Sequence, residues 1–156
     1  ASGLGGRHIR LSSIRIQRGA HTMIEVEPAS LPRNGSAAAS VDATALLEQS
    51  DKGAVELTGE IVDSKCFLGV MVPGSGKTHK DCASLCLRGG IPPALYVQDR
   101  AGHSSLLLLA GPTGEPIGAR ALQVAGEAIT VTGSIQRRGG WLVLRTAPTF
   151  WRRIDR

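Results

Sequence analysis

Val55-Glu56-Leu57-Thr58-Gly59-Glu60-Ile61 alternates apolar with polar side chains and interrupts the alternation at a glycine. Alternation of this kind turns one face of a strand toward a core and the other toward solvent. A glycine inside such a strand marks a bulge or a sharp bend. The same grammar recurs in Ile129-Thr130-Val131-Thr132-Gly133-Ser134-Ile135 and, with a serine at the break, in Ile9-Arg10-Leu11-Ser12-Ser13-Ile14. Strands that bend midway are how small barrels turn their corners.

Outward from these stretches, Ile16-Gln17-Arg18-Gly19 with Met23-Ile24-Glu25-Val26, and Ile135 to Gly140 with Trp141-Leu142-Val143-Leu144, read as hairpins whose glycines supply the positive φ of the turn. Further strands are expected over Ala94 to Gln98 and Ser105 to Leu109. A helix is expected from Thr78, as N-cap with Asp81 three residues on, to Gly89-Gly90, where the prolines of Ile91-Pro92-Pro93 stop it. No further helix is expected after Gly90. Between the first hairpin and the second alternating stretch lies an Ala, Ser and Pro-rich run, in which Asp42 is a candidate cap for a short helix over Ala43 to Gln49. The chain accordingly divides into an N-terminal β-hairpin (residues 1–27), a linker (28–53), a main domain (54–147) and a basic tail (148–156). The fold class is mainly β: a small OB-like barrel with one capped helix and an N-terminal β-hairpin extension. The hairpin is too small for a core of its own and has to pack on the main domain, on a missing segment or on a partner.

The whole chain has 156 residues, 42% of them hydrophobic and only 3% aromatic, with 20 Gly and 8 Pro. Its core must be aliphatic and its path must turn often. The longest wholly apolar run, Leu106 to Ala110, is far below the roughly 18 residues that would cross a bilayer, so no membrane span is expected and the stretch reads as soluble. The chain opens on Ala1 and not Met, which leaves room for an upstream signal or anchor. Net charge is +5, with Arg7, Arg10, Arg15 and Arg18 ahead of the first acid, Glu25, and a second arginine cluster at the end. Single-strand binders interleave basic grooves with aromatic platforms, and the few aromatics here are not interleaved. A basic OB face that binds oligonucleotides is therefore an alternative and not the first reading.

The sharpest chemical feature is the placement of the three cysteines. Cys66 follows the strand that holds Gly59, while His79, Cys82 and Cys86 share one face of the expected helix at i, i+3 and i+7. If Cys66 reaches that face, one nitrogen and three sulfurs make the donor composition of a closed tetrahedral zinc site, with Lys65, Lys77 and the helix N-terminus offering positive surroundings. Asp63 is placed to support a metal-bound His79 from behind, or to cap the turn after its strand. Two other readings stand beside the metal. Cys66 could form a disulfide with Cys82 or Cys86, or all three thiols could be reduced core residues or redox-active. Thiols at i and i+4 sit about 6 Å apart on a rigid helix, which disfavours redox chemistry between that pair.

Gly74-Ser75-Gly76-Lys77-Thr78 mimics a phosphate-cradling loop, but Met71 stands where the first glycine of that motif belongs, and no βα repeat follows. No nucleotide is expected. His8, His21 and His103 lie in polar contexts, and no nucleophile, acid and base signature appears apart from the thiols. Apart from the thiols nothing in the sequence argues for catalysis, and the reading leans against an enzyme without deciding it.

The run Gly59 to Cys66, with Gly76-Lys77-Thr78-His79-Lys80-Asp81-Cys82-Ala83, Cys86 and Gly89-Gly90-Ile91-Pro92-Pro93, resembles a group of uncharacterised bacterial envelope proteins with membrane-spanning segments ahead of the soluble part. It is also similar to small secreted bacterial proteins with an Asp-Ser-x-Cys strand end, a His-x-x-Cys-x-x-x-Cys helix and a closing strand like Val131 to Ile135. The resemblance covers about residues 55 to 145. It implies an OB-like barrel in the periplasm or cell envelope, anchored through a parent membrane segment or a protein partner, with Cys66, His79, Cys82 and Cys86 as the family positions and no assigned activity. Taken together, the expectation is a non-catalytic metal-binding module, zinc being the candidate ion. The alternatives are a disulfide-stapled or thiol-redox accessory domain of an envelope oxidoreductase, and the oligonucleotide binder.

Overall fold

A computed structural model describes residues 7–31, 38–40 and 51–154. The strand that begins at Asp51 and ends at Asp63, here β5 after four short N-terminal strands, is the longest element. Those four are β1 (Arg7–His8), β2 (Ser13–Arg18), β3 (His21–Val26) and β4 (Ala38–Ser40). After β5 come α1 (Lys80–Arg88), β6 (Pro93–Gln98), β7 (Ser104–Ala110), α2 (Gly118–Leu122), β8 (Ala128–Arg138), β9 (Trp141–Arg145) and β10 (Trp151–Arg153).

The main sheet runs β10-β8-β5-β6-β7-β9, and a further pairing of β8 with β9 closes five of its strands into a barrel. All neighbours are antiparallel except β7 and β9, which are parallel. A first strand shared by the second and fourth, with the third and fifth parallel, is the connectivity of an OB barrel.

The corner-turning expected of the two glycines is observed. β5 pairs with β8 up to Glu60 and with β6 from Glu60 onward, next to Gly59. β8 takes β9 as a second partner from Ser134, next to Gly133, while its pairing with β5 runs on to Gln136. A Cβ on Gly59 would lie 2.4 Å from the Tyr96 carbonyl oxygen, and one on Gly133 would lie 2.2 Å from that of Arg145. Only glycine lets the barrel backbones approach so closely.

Inside the barrel Ile61, Leu95, Leu107, Leu109, Ile129, Val131 and Leu144 pack with Ala83 and Leu87 of α1. Trp151 is the single aromatic among the buried residues of this core. Two features differ from the sequence reading. A second, five-residue helix, α2, lies between β7 and β8, where no helix is expected from the sequence, and Ile117, Ala121, Val124 and Ala125 around it bury into the barrel. The segment read as a basic tail supplies β10, paired with β8. Its buried Trp151 donates from Nε1 to Thr146 Oγ1 at 3.1 Å, and that hydroxyl donates to the Thr132 carbonyl at 2.8 Å.

The start of the helix also differs. α1 grows out of a 3₁₀ turn at Lys77–His79, and no side chain, that of Thr78 included, caps it. Its C-terminal end is capped as expected, Gly89 N–H reaching Leu85 O and Gly90 N–H reaching Leu87 O. The helix expected over Ala43 to Gln49 lies outside the described residues.

The N-terminal hairpin β2–β3, with Gly19 at φ 57° in its turn, packs on the main domain. Ile16 and Met23 lie against Val62, Leu68, Ala94 and Leu106 on the outer face of the barrel. Arg18 Nη1 donates to the Phe67 carbonyl at 2.6 Å, and its guanidinium sits 5.0 Å over the Phe67 ring. Glu25 pairs with Lys65. The hairpin thus braces the turn that follows β5.

Candidate metal centre

That turn is where the chemistry starts. Cys66 lies three residues past the end of β5, at the beginning of a helical turn over Cys66–Val70. Gly69 at φ 130° reverses the chain, and Gly74 then passes so close beneath it that a Cβ there would sit 2.7 Å from Phe67 Cα. The loop consequently folds back over the Cys66 backbone and leads into the 3₁₀ turn that ends at His79 and the helix α1 that carries Cys82 and Cys86. The sequence spacing places those three on one helix face, and the fold presents that face to Cys66.

Cys66 Sγ is 3.7 Å from Cys82 Sγ and 3.7 Å from Cys86 Sγ. Sulfurs bound tetrahedrally at about 2.3 Å from zinc lie about 3.8 Å from one another, so both separations match the edge of such a site. All three cysteines are free thiols. Asp63, fully buried at the end of β5, holds the centre from behind. One carboxylate oxygen accepts from the Cys66 backbone N–H at 2.8 Å, and the other lies 2.9 Å from His79 Nε2. Both roles weighed for Asp63, cap and histidine support, are therefore occupied at once.

His79 is 3% exposed, and its second ring nitrogen, Nδ1, is buried without a hydrogen-bond partner among the described residues. An orphaned buried nitrogen is costly unless something binds it. A carboxylate on one imidazole nitrogen and a free second nitrogen is the arrangement by which proteins orient a histidine toward a metal. The ligand atoms fall into two overlapping triads, Cys66 with His79 and Cys82, and Asp63 with Cys66 and Cys86, each triad within 4.8 Å. Cys66 belongs to both, His79 and Cys82 to the first and Cys86 to the second, so the four expected ligands do not form one group within that distance.

Burial pushes the Cys66 thiol up, with the Asp63 carboxylate adding to it, and does the same in the same order to Cys86. Lys65 offers less relief than the sequence suggests, because Glu25 holds its ammonium and raises its own pKa. Thiols pushed up are poor nucleophiles, which is the opposite of a redox-active pair. Buried thiols facing a carboxylate are the surroundings that a cation neutralises.

The chain has no match among protein-family models, curated proteins or solved structures.

Sequence reasoning misses one sulfur contact of the cluster. Met71 Sδ lies 3.3 Å from Cys82 Sγ, on the loop that folds back from Cys66. The methionine has no spacing relation to the helix and becomes visible only once Gly69 and Gly74 have set the loop's path. His103 pairs with Asp99 at 2.9 Å on an exposed turn, and the His21 ring lies 4.8 Å from that of Trp141, tilted by 52°, so neither belongs to the two triads. In the segment around Lys77 the Gly76 N–H is taken by Glu60. Among the described residues no helix is long and apolar enough to cross a membrane.

Proposed function

We propose that this chain is a non-catalytic metal-binding OB-like module of a bacterial envelope protein, with Cys66, His79, Cys82 and Cys86 as ligands and Asp63 orienting the histidine. The observation that carries the reading is the convergence of three free thiols, 3.7 Å from Cys66 to each of the other two, with a ring nitrogen of the buried His79 within 4.8 Å of Cys66 and Cys82. Zinc is the reference ion for a three-sulfur, one-nitrogen set. The barrel serves as a rigid frame, and the parent chain or a protein partner uses the loaded module in the periplasm or cell envelope, where a ligand set held ready by its fold competes with disulfide formation.

The test is thiol counting on protein purified without reductant, with and without chelator, beside elemental analysis. Three thiols that become reactive only on chelation, with one equivalent of metal released, are the expected result. One reactive thiol under both conditions means a Cys66 disulfide and defeats the proposal.

A further inference from the structure

The methionine beside Cys82 has no packing reason to be there. Met71 is 44% exposed, between Val70 at 53% and Val72 at 92%, in a loop that buries none of the three. Yet its sulfur accepts from the Cys82 thiol at 3.3 Å, closer than the 3.7 Å from Cys66 to each of the other thiols. A solvent-facing thioether gains little from such a contact by itself. It gains much if both sulfurs face one ion.

A thioether is a neutral, soft donor. It adds little to a divalent zinc ion already held by thiolates, and it favours monovalent copper, which prefers thiolate and thioether sulfur. We propose that Met71 is a sulfur ligand of this centre and that the ion it selects is copper(I), bound by the Cys66, His79 and Cys82 group with Met71 as the fourth donor. This rests on the metal-centre reading above and adds to it the identity of the ion and one ligand. His79, fixed by Asp63 at 2.9 Å, and Cys66, fixed through its N–H at 2.8 Å, form the rigid half of the centre. Cys82 and Met71 form the accessible half.

The full chain, reduced and held without oxygen, is titrated with copper(I) against a chromophoric copper(I) chelator and separately with zinc against a zinc chelator, for the unaltered protein and for Met71→Leu. Leucine keeps the bulk of an exposed side chain, so the fold is not at risk. Copper(I) affinity is expected to fall about tenfold or more in Met71→Leu while zinc affinity stays within about twofold, and the copper absorption edge is expected to report one sulfur fewer. Equal copper(I) affinity in the two proteins, with zinc still bound, overturns the role of Met71 and leaves the metal centre standing. Failure of the reduced protein to bind either ion overturns both.

Discussion

At the scale of single residues the most informative is Asp63, because one buried carboxylate serves both the backbone of Cys66 and the ring of His79. Asp63→Asn keeps the volume and removes the charge. Zinc affinity, read by chelator competition, is expected to fall about 10- to 100-fold, as losses of such supporting carboxylates do elsewhere. An unchanged affinity would restrict Asp63 to capping the turn. Most of this centre is legible in the order of the residues alone, because a helix turns a spacing of three and seven into a shared face and limits the chemistry of His79, Cys82 and Cys86 to that face. Cys66 is legible only as a strand-end residue, since nothing local says which helix a strand end will meet. Met71 is illegible, because a loop residue's position depends on backbone turns at Gly69 and Gly74 and not on any period.

At the scale of elements the bent strands carry the fold. Gly133→Ala would force a Cβ to within 2.2 Å of the Arg145 carbonyl, whereas one on Gly140, in the neighbouring turn, would have nothing within 4 Å. The first substitution is expected to cost about 1–3 kcal/mol or more, as overpacking does. The second should stay within about 0.5 kcal/mol, as open surface positions do. Urea unfolding of the two variants reads the difference directly, and equal midpoints would remove the corner role from Gly133. Strand alternation makes β5 and β8 legible because a barrel wall obeys the same period throughout. α2 is not legible, since five residues between Pro116 and Val124 are too few to nucleate a helix alone and owe their form to the burial of Ile117, Ala121 and Val124. β10 is hidden for a related reason. Arg152 and Arg153 follow Trp151 and make the segment look like a solvated tail, though the indole is only 6% exposed.

At the scale of the whole molecule, that indole ties the end of the chain to the barrel. Trp151→Ala is expected to lower stability by about 3–5 kcal/mol, measured by the same urea series, because it empties a buried aromatic site and strands the Thr146 hydroxyl contact. A loss under about 1 kcal/mol would return the segment to the status of a tail.

Loading the centre should couple to folding as well. With zinc at about a thousand times its dissociation constant the native state gains about 4 kcal/mol, so the melting temperature of the reduced protein rises with zinc and returns on chelation. The sign of the pH effect follows from the thiols. Burial and Asp63 raise Cys66 and Cys86, so both are protonated near neutral pH and an ion has to displace those protons. Apparent affinity therefore increases with pH and weakens about tenfold or more per unit on acidification through neutrality, measurable by titration in buffers of different pH. A flat profile would mean that the thiols are not the ligands.

The centre is also lopsided. Asp63, Cys66 and His79 lie at 0, 2 and 3% exposure on the barrel side, while Cys82 and Cys86 are half-buried and Met71 is exposed on the other. An ion held there can be approached along a single direction. Exchange should then proceed by substitution, an incoming sulfur or nitrogen taking the place of Cys82 or Met71 before the buried donors let go, with a stripping rate that climbs in proportion to chelator concentration.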